Sequence, residues 1–360
     1  MNKIKIDIRA LSKNDLVHFF EKHSDKSFRG NQVYEWLWKK GVHTFDEMTN
    51  LSKKTRTLLK DSFSINHIEV NAMQKSSDGT VKNAIRLHDG LIVESVLIPT
   101  ANRTTACVSS QVGCSLDCRF CATSRLKRMR NLNPDEIYDQ VVAIDKQSRL
   151  FFNKKLTNIV FMGMGEPLMN YKNVLIAIDK ITSNDGLGIS PKRIVVSTSG
   201  IPKIIKKMAE DKVKFNLAVS LHSAIDKIRT QIMPFNKTFP LTDLREALIF
   251  WYAKTRRRIT YEYVVWEGVN DTISDILALI DFCKFAPSKV NLIEYNPIED
   301  GLFKQANSKV INNYVSMLED QNIVVTVRRS RGKDIDAACG QLANKKQVME
   351  TDSELLNEFH

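Results

Sequence analysis

The stretch Val108-Ser-Ser-Gln-Val-Gly-Cys114-Ser-Leu-Asp-Cys118-Arg-Phe-Cys121-Ala-Thr-Ser124 sets three thiols four and then three residues apart. Thiolates are soft ligands, and three of them in one short loop select zinc or an iron–sulfur cluster. Ordinary clusters and structural zinc sites take four protein ligands, so three cysteines leave one metal position open. An open position on a redox-active cluster points to chemistry rather than scaffolding. Three readings stand beside one another. Cys107, seven residues upstream, completes a zinc site; the cysteines are a chance set of buried thiols; or three irons of a [4Fe–4S] cluster are held and the fourth is free.

Outward from this loop the chain alternates strand and helix. Candidate strands are Thr104–Ser110, Asn158–Met162, Arg193–Thr198, Phe215–Leu221, Ile259–Val265, Val290–Tyr295 and Ile323–Arg328. Amphipathic helices lie between them, such as Pro134–Gln147, with Asn133 as N-cap, Pro134 at its first position and Glu136 at its third. Repeated βα units imply a parallel sheet. Unusual polar residues gather at or just beyond the strand C-termini: Gly163-Met-Gly-Glu166-Pro167, Ser197-Thr-Ser199, Ser220-Leu-His222 and Asn296-Pro297. That rim binds ligands in barrels and open sheets alike, and so many strands converge on one site most easily when the sheet curls. The expected fold class is α/β, a partial (βα)6 barrel over residues 101–345.

Upstream, residues 1–65 read as a small helical domain with segments Asn14–His23, Asn31–Lys40 and Leu51–Phe63. One of Trp36 and Trp38 is assigned to its core, and the other stays open between core and surface. Residues 66–100 carry the turn signals Asp78-Gly79 and Asp89-Gly90, which imply a short antiparallel sheet leading into the barrel. Residues 346–360 carry no chemical signal and read as a peripheral tail.

The chain has 360 residues and a formal charge of +12, with a pI near 9.3. This balance points to a polyanionic partner, nucleic acid before membrane. Basic groups recur at Arg125–Arg130, Arg256–Arg258 and Arg328–Lys333, with Lys53, Lys54 and Arg56 in the helical domain. With no apolar run long enough for a membrane span and no secretory start, the expected location is the cytoplasm, where cysteines stay reduced. Of the six cysteines, Cys283 falls in an apolar helix and reads as core. Cys107 and Cys339 are left open between inert and reactive.

The three-cysteine spacing on a loop after the first barrel strand resembles the radical S-adenosylmethionine enzymes. VESVLIP at 93–99, ACVSSQVGCSLDCRFCAT at 106–123, MGMGEPL at 162–168, STSG at 197–200, SLHS at 220–223, EYNP at 294–297 and RGKDIDAACGQLA at 331–343 are similar to one family within them. It is the dual-specificity adenine carbon-2 methyltransferases of 23S ribosomal RNA, and the likeness covers almost the whole chain.

The resemblance implies that Cys114, Cys118 and Cys121 ligate a [4Fe–4S] cluster. S-adenosylmethionine then occupies the open iron, with Gly165, Glu166, Ser197, Ser220, Leu221, His222 and Asn296 as its contacts and two molecules used per turnover. It implies that Cys339 accepts a methyl group and that a methylene radical on its sulfur adds to adenine carbon-2. Cys107 resolves the adduct through a transient disulfide with Cys339, and Glu94 accepts a proton. The implied partners are 23S ribosomal RNA during ribosome assembly, transfer RNA as a second substrate, and a flavodoxin- or ferredoxin-type reductant; the protein is expected to be a monomer. A sister reaction at adenine carbon-8 shares both extra cysteines; Pro167 and the N-terminal helices favour carbon-2. A zinc-stabilised RNA-binding module without catalysis is the reading from another class.

Overall fold

A computed structural model describes residues 5–298, 301–344 and 353–359. Ten strands form one sheet whose neighbours follow chain order throughout: β1 (Glu69–Lys75), β2 (Val81–Arg86), β3 (Ile92–Pro99), β4 (Thr104–Cys107), β5 (Asn158–Phe161), β6 (Ile194–Thr198), β7 (Asn216–Ser220), β8 (Ile259–Val264), β9 (Ser288–Ile293) and β10 (Val324–Arg328). The first four strands pair antiparallel, and every pair from β4 onward is parallel. Because β1 and β10 are both edges, the barrel is partial. Six βα units are followed by a seventh parallel strand, β10.

The hairpin stretch is not a separate small sheet. Val96 of β3 sits opposite Cys107 of β4, so the hairpins continue the barrel sheet past its first parallel strand. The expected turns form: Asp78 and Asp89 each accept an N–H two residues ahead, from Thr80 at 2.9 Å and Leu91 at 3.2 Å. Helix α4 (Pro134–Phe152) covers the hairpins and first strands, and runs five residues beyond the expected Gln147 end. It starts as expected, with Pro134 in its first turn and the Asn133 N–H donating to Glu136 at 2.8 Å. The outer layer continues with α5 (Tyr171–Thr182), α6 (Pro202–Glu210), α7 (Asp226–Ile232), α8 (Leu241–Thr255), α9 (Ile273–Cys283) and α10 (Ser308–Asp320). None of the described helices is long and apolar enough to cross a membrane.

At the N-terminus, α1 (Lys13–Lys22), α2 (Phe28–Glu35) and α3 (Lys53–Ser62) pack around Leu16, Phe20, Val33, Leu37 and Trp38. Trp38 is the core tryptophan: it lies edge-on to Tyr138 of α4 and beneath the Arg9 guanidinium. Arg9, itself buried, grips Asp139 of α4 with two nitrogens at 2.6 and 2.7 Å and so pins the helical domain to the barrel. Trp36 is half-buried, bonded to Asn50 at 2.6 Å with Lys40 over its ring. The stretch read as a peripheral tail holds a helix, α11 (Ser353–Phe359), whose Leu355 and Phe359 are buried at helical spacing; residues 345–352 and 360 lie outside the described part.

Candidate functional site

One cavity opens at the C-terminal ends of the parallel strands. The loop after β4 brings Cys114, Cys118 and Cys121 to it, and the loop after β5 brings Gly163, Gly165 and Glu166. Ser197 and Ser199 arrive on β6, Ser220 and His222 on β7, and Tyr295 and Asn296 follow β9. The segment after β10 closes one wall with Cys339 and Gly340. Leu116, Phe120, Trp266 and Tyr295 wrap the thiols in an apolar shell.

That shell has an electrostatic consequence. Desolvation pushes Cys114 up to about 11 and raises Cys118 and Cys121; the thiols facing each other add to the effect on Cys114 and Cys118. Three thiolates here need a bound cation to form. Among the described residues no three His, Cys, Asp or Glu side chains form a site for a single metal ion, whereas a cubane cluster takes each thiolate on a different iron. Asn296 fits a cofactor as well: its Oδ1 is buried with no partner among the described residues, while its Nδ2 donates to the carbonyl of Cys339 at 3.2 Å. Cys107 lies outside this cavity, so it does not complete a four-cysteine set.

The glycine-rich loop is shaped by close approach. Gly165 has φ +92°, and a Cβ on it would lie 2.4 Å from Gln111 Cβ. Glu166 is buried and accepts N–H groups of Leu168 at 3.0 Å and Ser199 at 2.8 Å, so it is both a helix-start cap and a cavity wall. Burial raises its pKa, opposed by those hydrogen bonds. His222 takes φ +57° and accepts the Val264 N–H on Nδ1 at 3.2 Å. Desolvation, with Arg229 beside it, lowers its pKa to about 3. It is therefore neutral at physiological pH, and the Nδ1 acceptor role assigns its proton to Nε2. Leu221, just past the end of β7, has its side chain fully buried in the core, so only its main chain is left to face the cavity.

A second cavity lies at the open side of the barrel, between β4 and β10. Cys107 and Cys339 both line it, with Arg103, Arg328, Arg329 and Arg331 around them. Cys339 and Met162 thus face both cavities. All six cysteines are free thiols in this structure. The pKa of Cys107 is raised strongly by burial and then by Cys339. Cys339 is exposed as a residue, while the atoms crowded around its sulfur raise its pKa by desolvation, opposed by Arg328. Glu94 is 1% exposed. It lines neither cavity. Burial raises its pKa, opposed by Lys82 and by the N–H groups of Asn344 and Ala343.

The basic groups sort by their partners. Arg130 is tied to Asp89 at 2.6 Å and to Glu136 at 2.8 Å, and Arg257 and Arg56 donate to backbone carbonyls. Lys127, Arg128, Arg103 and Arg329 are exposed. Reasoning from the sequence missed Arg103, Ser199, Tyr295 and the fully buried Arg229, which donates to the carbonyls of Leu221 and Ser199. Ser199 and Tyr295 stand inside the quoted motifs; nothing local marks Arg103.

Against known proteins, residues 6–65 match the family profile "Ribosomal RNA large subunit methyltransferase N-terminal domain", and residues 108–283 match "Radical SAM superfamily". A "Probable dual-specificity RNA methyltransferase RlmN" of Christiangramia forsetii is 71% identical over 95% of this chain and 97% of its own length. The "Dual-specificity RNA methyltransferase RlmN" of Desulfotalea psychrophila is 40% identical over 97% of this chain and 98% of its own. A crystal structure of "a radical SAM methyltransferase from Sphaerobacter thermophilus" superposes with TM-score 0.88 at 35% identity, covering 94% of this chain and all of that one.

Proposed function

Because the chain belongs to the dual-specificity RNA methyltransferase RlmN family of radical SAM proteins, we propose that it methylates carbon-2 of an exposed adenine in 23S ribosomal RNA and in transfer RNA, with Cys339 carrying the methyl group. The observation that carries this reading is the position of Cys339 in the wall between the two cavities. Adenine carbon-2 lies between two ring nitrogens and is no nucleophile, so a direct polar methyl transfer to it is excluded; a thiolate accepts a methyl readily.

Cys114, Cys118 and Cys121 would hold three irons of a [4Fe–4S] cluster, and Glu166, Ser197, Ser220, His222 and Asn296 would receive S-adenosylmethionine. When bound, these groups supply the methyl group and a 5′-deoxyadenosyl radical. Glu166 offers acceptor capacity to an ammonium, and the neutral His222 offers an Nε2–H donor. On the other side of Cys339, the arginine-lined cavity receives the target nucleotide, its flanking phosphates meeting Arg103 and Arg329 while the unstacked base reaches the two cysteines. Cys107 attacks Cys339 sulfur to free the methylated base, and a flavodoxin- or ferredoxin-type donor returns the electrons.

Incubation of anaerobically reconstituted protein with ribosomal and transfer RNA, followed by nucleoside mass analysis, should yield 2-methyladenosine. Methyl on carbon-8 would overturn the regiochemistry. Separately, Arg103→Glu with Arg329→Glu should weaken RNA binding evenly across sequences and reduce the slope of log affinity against log salt by about 1 for each phosphate no longer neutralised. An unchanged slope would remove the second cavity as the RNA approach.

A further inference from the structure

We propose that Glu94 is a positioning residue: paired with Lys82 inside the sheet, its carboxylate clasps the chain segment that carries Cys339 and sets that thiol between the two cavities. The role rests on reading Cys339 as the methyl-carrying thiol.

The segment after β10 crosses the open side of the barrel with one 3-10 turn (Lys333–Ile335) and a tight turn around Cys339, in which the Ala338 carbonyl accepts the Gln341 N–H at 3.1 Å; these turns shape the segment locally but do not place it against the barrel. Contacts with other elements do so before the cysteine, around it and after it, and the Cys339 carbonyl itself accepts Asn296 Nδ2 at 3.2 Å while Gln341 Nε2 donates to the carbonyl of Pro297 at 3.2 Å. Before the cysteine, Asp334 accepts from Ser76 Oγ at 2.6 Å and the Ser77 N–H at 3.0 Å, and the Gly332 N–H donates to Asp78 at 3.0 Å. Around it, the carbonyl of Gly340 accepts the Ala122 N–H at 2.7 Å, and that of Leu342 accepts Thr123 Oγ at 2.6 Å. These two bonds run directly to the loop that bears Cys121. After it, Glu94 Oε2 accepts the N–H groups of Ala343 at 2.8 Å and Asn344 at 3.3 Å, and Asn344 Nδ2 donates to the carbonyl of Ile92 at 2.7 Å.

The third place differs from the others in being charged and buried. Lys82 is 3% exposed and its Nζ stands 3.8 Å from Glu94 Oε1. One carboxylate oxygen faces the ammonium and the other takes two backbone donors, which leaves no oxygen directed at either cavity. Charged acceptors make the stronger hydrogen bonds, and burial makes their loss expensive. The main chain of Glu94 is engaged too: its carbonyl accepts Ser109 Oγ at 2.6 Å, and that oxygen accepts the N–H of Met164 in the glycine-rich loop at 2.8 Å. A single residue of β3 therefore ties the Cys339 segment and the glycine-rich loop to one strand.

The test compares Glu94→Ala with Glu94→Gln. Glutamine keeps an oxygen for the two N–H groups but gives up the charge opposite Lys82, so it separates the bonds to the segment from the ion pair; alanine removes both. In protein free of cofactor, alkylation of Cys339 by iodoacetamide, followed by peptide mass, should accelerate about tenfold or more in Glu94→Ala and return to within about twofold of the native rate in Glu94→Gln. With cluster and S-adenosylmethionine supplied, the rate of Cys339 methylation should fall by a similar factor in Glu94→Ala and recover in Glu94→Gln. A residue that takes a proton from the base would behave otherwise. Cys339 alkylation and methylation would be native in both variants, and both would stall after joining RNA; that result overturns the clasp, as does a glutamine variant that behaves like alanine. If Glu94→Ala does not fold, Glu94→Gln decides alone: recovered turnover supports the clasp and a stalled conjugate overturns it. Native protein that never methylates Cys339 would overturn the proposed function while leaving the alkylation comparison intact.

Discussion

Replacing Cys107 with alanine should convert the protein from a catalyst into a single-use reagent that ends covalently joined to RNA. The expectation follows from where the two thiols sit. Cys107 ends β4 and Cys339 follows β10, yet both line the cavity at the open side of the barrel. In the proposed reaction the adduct is a thioether from Cys339 sulfur through a methylene carbon to the base. Attack by Cys107 on that sulfur forms a disulfide and breaks the sulfur–carbon bond; the carbon leaves with the electron pair and takes up a proton as the methyl group. Two electrons from the external donor restore the thiols. Burial, with Cys339 beside it, raises the pKa of Cys107 strongly, so the resting group is a protonated thiol whose proton must leave as its sulfur attacks; the departing carbon, which takes up one proton, balances it. Without it, no second thiol among the described residues lines this cavity. Denaturing gels of Cys107→Ala after one turnover should show a band of protein plus RNA, and mass spectrometry should place the link on Cys339. Free methylated RNA at the native rate would sink the resolving role, and with it the disulfide pairing.

How far the sequence carried depends on what kind of information each feature needs. Cysteine spacing and strand order are local or periodic, so the three-cysteine loop and the seven parallel strands were legible; most ends lie within two residues of those expected, but β4 stops three residues short, at Cys107, and β9 begins two residues early, at Ser288. Past the end of β7, His222 takes φ +57°, and the structure brings Ser220 and His222 to the cavity while the Leu221 side chain is buried in the core; that local turn was not legible in the three-residue motif. Sheet continuity was not legible, because hairpins built on Asp-Gly turns fold equally well alone or as an extension of a larger sheet. The burial of Glu94 was not legible for the same reason: its partners beyond β10 lie some 250 positions on in sequence. Basic clusters misled in detail, since Arg130 serves Asp89 and Glu136 while the isolated Arg103 stands at the second cavity.

Gly165→Ala should be the most damaging methyl group that can be added to the first cavity. Two costs combine. At φ +92° a residue with a Cβ is strained, on the order of 1–2 kcal/mol. The added carbon would also fall 2.4 Å from Gln111 Cβ and 2.9 Å from the Gln111 nitrogen, atoms of a main chain that cannot swing aside. Overpacking of that kind costs about 1–3 kcal/mol. The chain around it has little slack: Gln111 Oε1 accepts the Glu166 N–H at 2.8 Å, and the carbonyl of Met164 accepts from Ser110 at 2.9 Å and Gln111 at 3.2 Å. Any relief of the clash therefore moves Glu166 away from Ser199. Denaturant unfolding of cofactor-free protein should show a loss of about 2–5 kcal/mol, the sum of the two costs. Binding of S-adenosylmethionine to the reconstituted protein should weaken by at least about tenfold, since each 1.4 kcal/mol of misplaced contact is one decade. Gly90→Ala is the control, because Gly90 has φ +81° and no atom within 4 Å of the added carbon. It bears the conformational cost alone and leaves the cavity untouched. Equal losses in the two variants would mean that backbone strain, and not the approach of the glycine-rich loop to Gln111, shapes this wall of the site.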